Sequence, residues 1–235
     1  MKNFLKDFVE MSDARRHTMI DQPGPVVTIS RETGCSTNYI AMKLSKILSG
    51  YGYQKGSKQS SEWKFVNKEV IEHAAVELEM SPDEVKNVFL KEVRTHLHDV
   101  TMAFSTEKVY DADDQRVIDT VKDVITQLAG EGRCVIVGRA ANIITSGIEA
   151  RLSVKIQAPL EWRIRRIMNL SSMSYADARD YVLEIDRQRM LYIEHIAGRH
   201  VDDNDYDMVF NHATLTDDQI VDAMLHVMKS KQLIQ

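Results

Sequence analysis

Val26-Val27-Thr28-Ile29-Ser30-Arg31-Glu32-Thr33-Gly34-Cys35-Ser36-Thr37-Asn38-Tyr39-Ile40-Ala41-Met42-Lys43-Leu44 is the stretch that decides how the chain folds. Four of its first five residues, Val26 to Ile29, are β-branched in a short run, and two heavy atoms on Cβ fit a pleated surface better than a helix. The run turns at Gly34 and enters Tyr39 to Leu48, where Ile40, Leu44, Ile47 and Leu48 recur at helical spacing. Strand, loop, helix is the reading. Just ahead, Pro23-Gly24-Pro25 breaks this unit from a charged, partly amphipathic start, so residues 1–24 read as an appendage and 25–235 as one α/β domain.

Working outward, Gln54 to Glu62 is polar and rich in Ser, Lys and Gly, as expected of a surface insertion before Lys64-Phe65-Val66. Ser81-Pro82-Asp83-Glu84 joins an N-cap, a first-turn proline and a capping glutamate, and so predicts a helix start. Val85 to Asp111 carries no strand pattern, and Asp114 to Ala129 reads as an amphipathic helix stopped by Gly130 and Gly132. Cys134-Val135-Ile136-Val137 is continuously apolar, the mark of a strand buried on both faces. Leu152 to Ile156 is the next strand. Helices are expected over Leu160 to Asn169 and over Tyr175 to Ala197, the second opened by Ser174-x-x-Asp177. Asp207 to Phe210 is a last strand, and Thr216-x-x-Gln219 opens the closing helix. Strands separated by helices imply a doubly wound parallel sheet of about five strands with helices on both faces.

Composition sets bounds on function. Apolar residues at 43% and charged residues at 28% are ordinary for a packed domain, which excludes a disordered or fibrous chain. A formal charge of −5 argues against general nucleic-acid binding while leaving room for a local basic site. No apolar run approaches the roughly 18 residues that span a bilayer, and Met1 to Glu10 does not read as a secretion signal. With only Cys35 and Cys134, the expectation is two reduced thiols in a cytoplasmic protein.

Ligands of such sheets sit at the carboxyl ends of the strands, so the residues after each strand are the candidates. After the first strand, small polar residues lead into a helix whose N-terminal N–H groups and dipole suit a phosphate. Against the pattern G-x-x-x-x-G-K-[ST], Arg31 stands at the first Gly, Thr37 at the Lys and Asn38 at the Ser/Thr. An anion site and a plain strand-to-helix connection both remain open there. After the buried strand, Arg139 either grips a phosphate with its fork or faces solvent. Nearer the C-terminus, Arg163 and Arg166 share a helix face at i, i+3 spacing. Arg189 falls within the apolar stripe of Val182, Ile185, Ile193 and Ile196, which is costly for a charge. It is expected either to pair with Asp186 or to face a buried anion. His96, His98 and Asp99 read as a solvated surface, because alternate residues do not share a helix face. Cys35 stands at a helix N-terminus, where a thiol pKa can fall, but no base or resolving thiol is near it in sequence.

Taken in order, Val27 to Glu32 with Gly34, then Cys134 to Arg139, then Ala158-Pro159-Leu160-Glu161-Trp162-Arg163-Ile164-Arg165-Arg166-Ile167 resemble the cytidylate kinase-like family. The match runs from about Val26 to Met228, and Asp186 and Arg189 resemble the mobile lid of these kinases. The resemblance implies a phosphate-binding-loop NTPase-like fold with a helical lid and acceptor region. It also implies transfer of the ATP γ-phosphoryl group, with Mg²⁺, to a nucleoside monophosphate, CMP or dCMP. Gly34, Cys35, Ser36, Thr37 and Asn38 would hold the ATP phosphates, and Arg139 would hold the acceptor. Arg163, Arg166 and Arg189 would neutralise charge during transfer, with Asp186 beside them. A small-molecule nucleotide is the implied partner, with no nucleic acid or membrane, and a homo-oligomer is left open.

The departures from the family pattern matter equally. Well-formed loops carry Lys where this chain has Thr37, the related branch carries Arg within Gly-Ser-Gly-Gly-Arg, and an Asp after the second strand is replaced by Asn67. Loss of such a cation weakens transition-state stabilisation by several kcal/mol. Arg31 is the candidate to replace it. A catalytically impaired member that binds nucleotide as a regulatory or interaction module is therefore the alternative reading.

Overall fold

The computed structural model describes residues 24–54, 62–67 and 112–234. These residues build a five-stranded, all-parallel sheet from β1 (Val26–Arg31), β2 (Lys64–Val66), β3 (Cys134–Val137), β4 (Arg151–Gln157) and β5 (Met208–Asn211). The helices are α1 (Thr37–Gln54), α2 (Ala112–Glu131), α3 (Ala141–Ile144), α4 (Leu160–Ser171), α5 (Tyr175–Ala197) and α6 (Asp217–Ser230). The spatial order is β2-β3-β1-β4-β5, so β3 and β2 lie on one side of β1 and β4 and β5 on the other, and the direction of the sheet's growth reverses at β1. At such a reversal the neighbouring connections leave a crevice beyond the carboxyl end of the central strand.

Both sheet faces are covered. Val27 and Ile29 of β1, Val135 and Val137 of β3, and Leu152, Val154 and Ile156 of β4 share one face and pack with Ile40, Leu44 and Leu48 of α1 and Ile220, Met224 and Met228 of α6. The alternate residues Val26, Cys134 and Ile136 are also buried, and the Cys134 thiol lies 3.5 Å from the Leu128 carbonyl, which puts α2 on the opposite face. A strand covered on both sides has no need of alternating polarity, and this is why Cys134 to Val137 is apolar throughout.

Most element boundaries follow the local signals. Thr216 and Gln219 form both halves of the capping box at α6. At α5, Ser174 accepts from the Asp177 N–H, and Gly198 closes the helix in the left-handed region at φ 65°. α1 begins two residues before and ends six residues after the segment predicted from its apolar spacing. β5 is shifted by one residue from Asp207–Phe210, because the Asp207 carboxylate itself takes the Ser153 N–H at 2.7 Å ahead of the strand. Two elements had no periodic signature: the single-turn α3 and the 3₁₀ turn at Asp203–Asp205. The predicted helix at Ser81, the segment Val85 to Asp111 with His96, His98 and Asp99, and nearly all of the N-terminal appendage and the 54–62 insertion lie outside the described residues. No helix among the described residues is long and apolar enough to cross a membrane.

Candidate phosphate-binding site

The connection from β1 to α1 is short and tightly turned. Glu32 N–H bonds the Ile156 carbonyl of β4 at 3.0 Å, and Cys35 N–H returns to the Glu32 carbonyl at 3.2 Å. Gly34 sits at φ 97°, and a Cβ there would stand 3.2 Å from Arg163 Cβ and 3.3 Å from its Cα and carbonyl oxygen. Glycine is therefore required twice over, by backbone conformation and by the close approach of α4. The N–H groups of Gly34 and Ser36 take no backbone acceptor among the described residues. They stand where the helix dipole of α1 favours an anion.

Two long helices bring arginines to this turn. α4 and α5 pack through Ile164, Ala178 and Val182, with Leu160, Ile167 and Tyr181 at the margins. That packing sets one face of each helix over the loop. Arg166 Nη2 donates to the Ser36 hydroxyl, and its guanidinium lies 5.1 Å from the Trp162 ring centroid. From α5, Arg189 Nη1 donates to the Thr33 hydroxyl at 2.9 Å. These contacts join residues 130 and 156 positions apart.

Arg163 is placed differently from its i, i+3 neighbour. Only 6% of it is exposed, and it runs beneath the loop. Its Nε donates to the Ala158 carbonyl at 2.8 Å and lies 3.1 Å from the Glu32 carboxylate. Its Nη1 meets the Thr33 carbonyl at 3.3 Å and the Asp186 carboxylate at 2.5 Å. A buried guanidinium is tolerable only when its donors find such acceptors. Asp186 is equally engaged. Its Oδ1 accepts from both the Thr33 N–H and the Thr33 hydroxyl at 2.7 Å, and Arg189 Nη1 stands 3.7 Å away. Of the two readings open for Arg189, the pair with Asp186 is present, and the same side chain also reaches the loop. Three guanidinium charges against the two carboxylates Glu32 and Asp186 leave one net positive charge beside the loop.

The other candidates fall into separate places. The Arg31 guanidinium lies on the β3 side of the crevice, where a Cβ on Gly138 would be 2.6 Å from its Nη1. Arg139 follows at φ 56° and Ala140 at φ 54°, so the turn after β3 holds two non-glycine residues in the left-handed region. Such conformations cost on the order of 1–2 kcal/mol each and persist only where the surroundings impose them. The structure thus divides the arginines into Arg31 and Arg139 on one side and Arg163, Arg166 and Arg189 on the other. Thr37, at the lysine position, is 1% exposed, and Asn38 is exposed. Burial, together with the Glu32 charge, pushes the Cys35 thiol up to about 12, opposite to the fall that a helix N-terminus alone would produce.

Sequence reasoning left three residues of this cluster without a role. Thr33 and Glu32 lie inside the quoted loop, but nothing local shows that Thr33 meets Asp186 or that Glu32 meets Arg163. His212 follows β5, with its ring 5.3 Å from Trp162 and its Nε2 2.7 Å from Asp217. It had no sequence signal at all.

The family model for the cytidylate kinase-like family matches residues 26–214. The chain belongs to that family. A solved structure of an uncharacterized protein from Eubacterium ventriosum is 20% identical, covers 88% of this chain and 98% of its own, and superposes with a TM-score of 0.61, which shows a shared fold. A shikimate kinase from Bacteroides thetaiotaomicron (8% identity, 87% and 98% coverage, TM-score 0.44) and the protein TT1252 from Thermus thermophilus (17%, 88% and 98%, TM-score 0.44) are more remote. No curated protein matches. As a member of this family, the chain is a nucleotide kinase-like protein.

Proposed function

We propose that this family member transfers the γ-phosphoryl group of ATP to a nucleoside monophosphate, with CMP or dCMP as the acceptor. The observation that carries the proposal is the convergence of Arg166 and Arg189, from two helices, on the Ser36 and Thr33 hydroxyls of one loop. Phosphoryl transfer asks a protein mainly for positioning and for fixed positive charge around the moving group, and converging guanidiniums supply both. Arg166 and Arg189 would hold donor phosphate oxygens that approach the N–H groups of Gly34 and Ser36. Arg139, across the crevice, would orient the acceptor phosphate, with Arg31 next to it.

The residues fit the phosphates of ATP, since N–H groups with no backbone acceptor among the described residues and half-buried guanidiniums meet at one turn. Mg²⁺, when bound, would neutralise charge between donor oxygens. No group of three His, Cys, Asp or Glu able to hold a metal occurs among the described residues. The ion would be carried mostly by phosphate oxygens and water, as Mg²⁺ commonly is.

A second reading is favoured by two specific observations: Thr37 is buried where a loop lysine would stand, and the Asp186 carboxylate occupies the Thr33 N–H. Both reduce what the loop offers to a phosphate, and a nucleotide-binding module with little or no turnover would follow. A coupled ADP-release assay with each nucleoside monophosphate, beside calorimetry with Mg²⁺-ATP, separates the two. CMP-dependent turnover that is lost in Arg139→Ala supports the kinase. Binding without turnover supports the module, and absence of nucleotide binding defeats both.

A further inference from the structure

Arg163 is buried among protein acceptors, and two of those acceptors are carboxylates from different segments. Asp186 comes from α5, while Glu32 comes from the residue directly after β1. Glu32 does more than balance charge. Its Oε2 accepts the Ala158 N–H at 3.0 Å while standing 3.1 Å from Arg163 Nε, and Arg163 Nε donates in turn to the Ala158 carbonyl. Its own backbone N–H is fixed on Ile156 at 3.0 Å, and its carbonyl receives the Cys35 N–H. The side chain and backbone of this one residue thus tie the loop to the end of β4, to the entry of α4 and, through Arg163 and Asp186, to α5.

A guanidinium in a confined space is directed by where its acceptors lie, because each donor must meet one. Without the Glu32 carboxylate, Arg163 would keep Asp186 and two carbonyls. Nothing would then hold its Nε side toward Ala158 except one carbonyl, and the loop would lose its side-chain link to the β4–α4 corner. Thr33, whose N–H and hydroxyl meet Asp186, is the next residue along the chain.

We infer that Glu32 is a positioning residue: through Arg163 it fixes the phosphate loop against α4 and α5 so that the N–H donors of Gly34 and Ser36 and the guanidiniums of Arg166 and Arg189 face a common point. It does not itself touch phosphate. The inference rests on the proposal that this loop binds nucleotide phosphates, and it adds a residue to which that proposal gives no part.

The test uses the full chain with Glu32→Ala and Glu32→Gln, hydrogen exchange along the backbone, and Mg²⁺-ATP calorimetry. In Glu32→Ala, amides of residues 33–38 should exchange at least tenfold faster, while those of β3 and α6 stay unchanged, and Mg²⁺-ATP affinity should fall about tenfold, the scale of one charge-assisted hydrogen bond. Glu32→Gln keeps an acceptor for the Ala158 N–H, should show a smaller effect of the same kind, and carries the test if the alanine variant does not fold. Faster loop exchange in the variants, with no Mg²⁺-ATP binding even by the unchanged chain, would support the positioning role and sink the nucleotide reading. Unchanged loop exchange and unchanged affinity in a folded Glu32 variant would overturn the inference while leaving the nucleotide reading standing.

Discussion

Replacing Asp186 by asparagine tests the centre of the cluster. The carboxylate accepts from the Thr33 N–H and hydroxyl through one oxygen and from Arg163 Nη1 through the other. Asparagine can keep the Thr33 contacts with its carbonyl, but its NH₂ group then faces Arg163, donor against donor. Water cannot easily repair this, because Arg163 is only 6% exposed. Breaking a fully buried ion pair from one side costs roughly 3–5 kcal/mol. Here Glu32 still faces Arg163 at 3.1 Å, and the Asp186 side chain is 23% exposed. A loss of about 2 kcal/mol is the reasonable scale for a pair that keeps one carboxylate and partial hydration. For a chain of this length, about 2 kcal/mol lowers the unfolding midpoint by about 4–8 °C. Differential scanning calorimetry of the two proteins at pH 7 measures it. A shift below about 1 °C would refute the argument, since a desolvated contact between these groups cannot be removed at so little cost.

Other outcomes follow from the same geometry. Gly34→Ala forces a Cβ onto a backbone at φ 97° and into contact with Arg163 at 3.2–3.3 Å. It should cost about 2 kcal/mol or more by urea unfolding and loosen the loop. Arg166→Ala removes the Ser36 contact and the Trp162 stacking on a partly exposed side chain; it should lower stability by less than about 1 kcal/mol yet weaken Mg²⁺-ATP binding at least tenfold in calorimetry. Burial pushes the thiols of both Cys35 and Cys134 up to about 12, above the ordinary value near 8.5 in the unfolded chain. Folding therefore favours their neutral forms. This contribution to stability is complete below about pH 8.5 and is lost as pH rises toward 12, which denaturant titrations across that range will show. At pH 8, iodoacetamide should label both cysteines slowly until the chain unfolds, and fast native-state labelling of Cys35 would contradict its partly buried, anion-flanked setting.

Much of this molecule could be read from local spacing. β-branched and fully apolar runs marked β1 and β3, and caps at Ser174 and Thr216 marked the starts of α5 and α6, because each signal is satisfied within a few residues of itself. Arginines at positions 139, 163, 166 and 189 were identifiable as candidates for the same reason: their place after a strand or on a helix face is a local property. What local spacing does not hold is the identity of the partner across the fold. Positions 163 and 166 share a helical face, yet one is buried beneath the loop against two carboxylates and the other lies on the Ser36 hydroxyl beside Trp162. Their different depths arise from how α4 meets α5 and the close backbone at Gly34. Asp186 was readable as a neighbour of Arg189 at i, i+3, but its engagement with Thr33, 153 residues away, exists only once the fold has brought the end of β1 to α5. Periodicity states which side of an element is covered, while tertiary packing alone decides what covers it, since contacts between distant segments leave no spacing in the chain to be read.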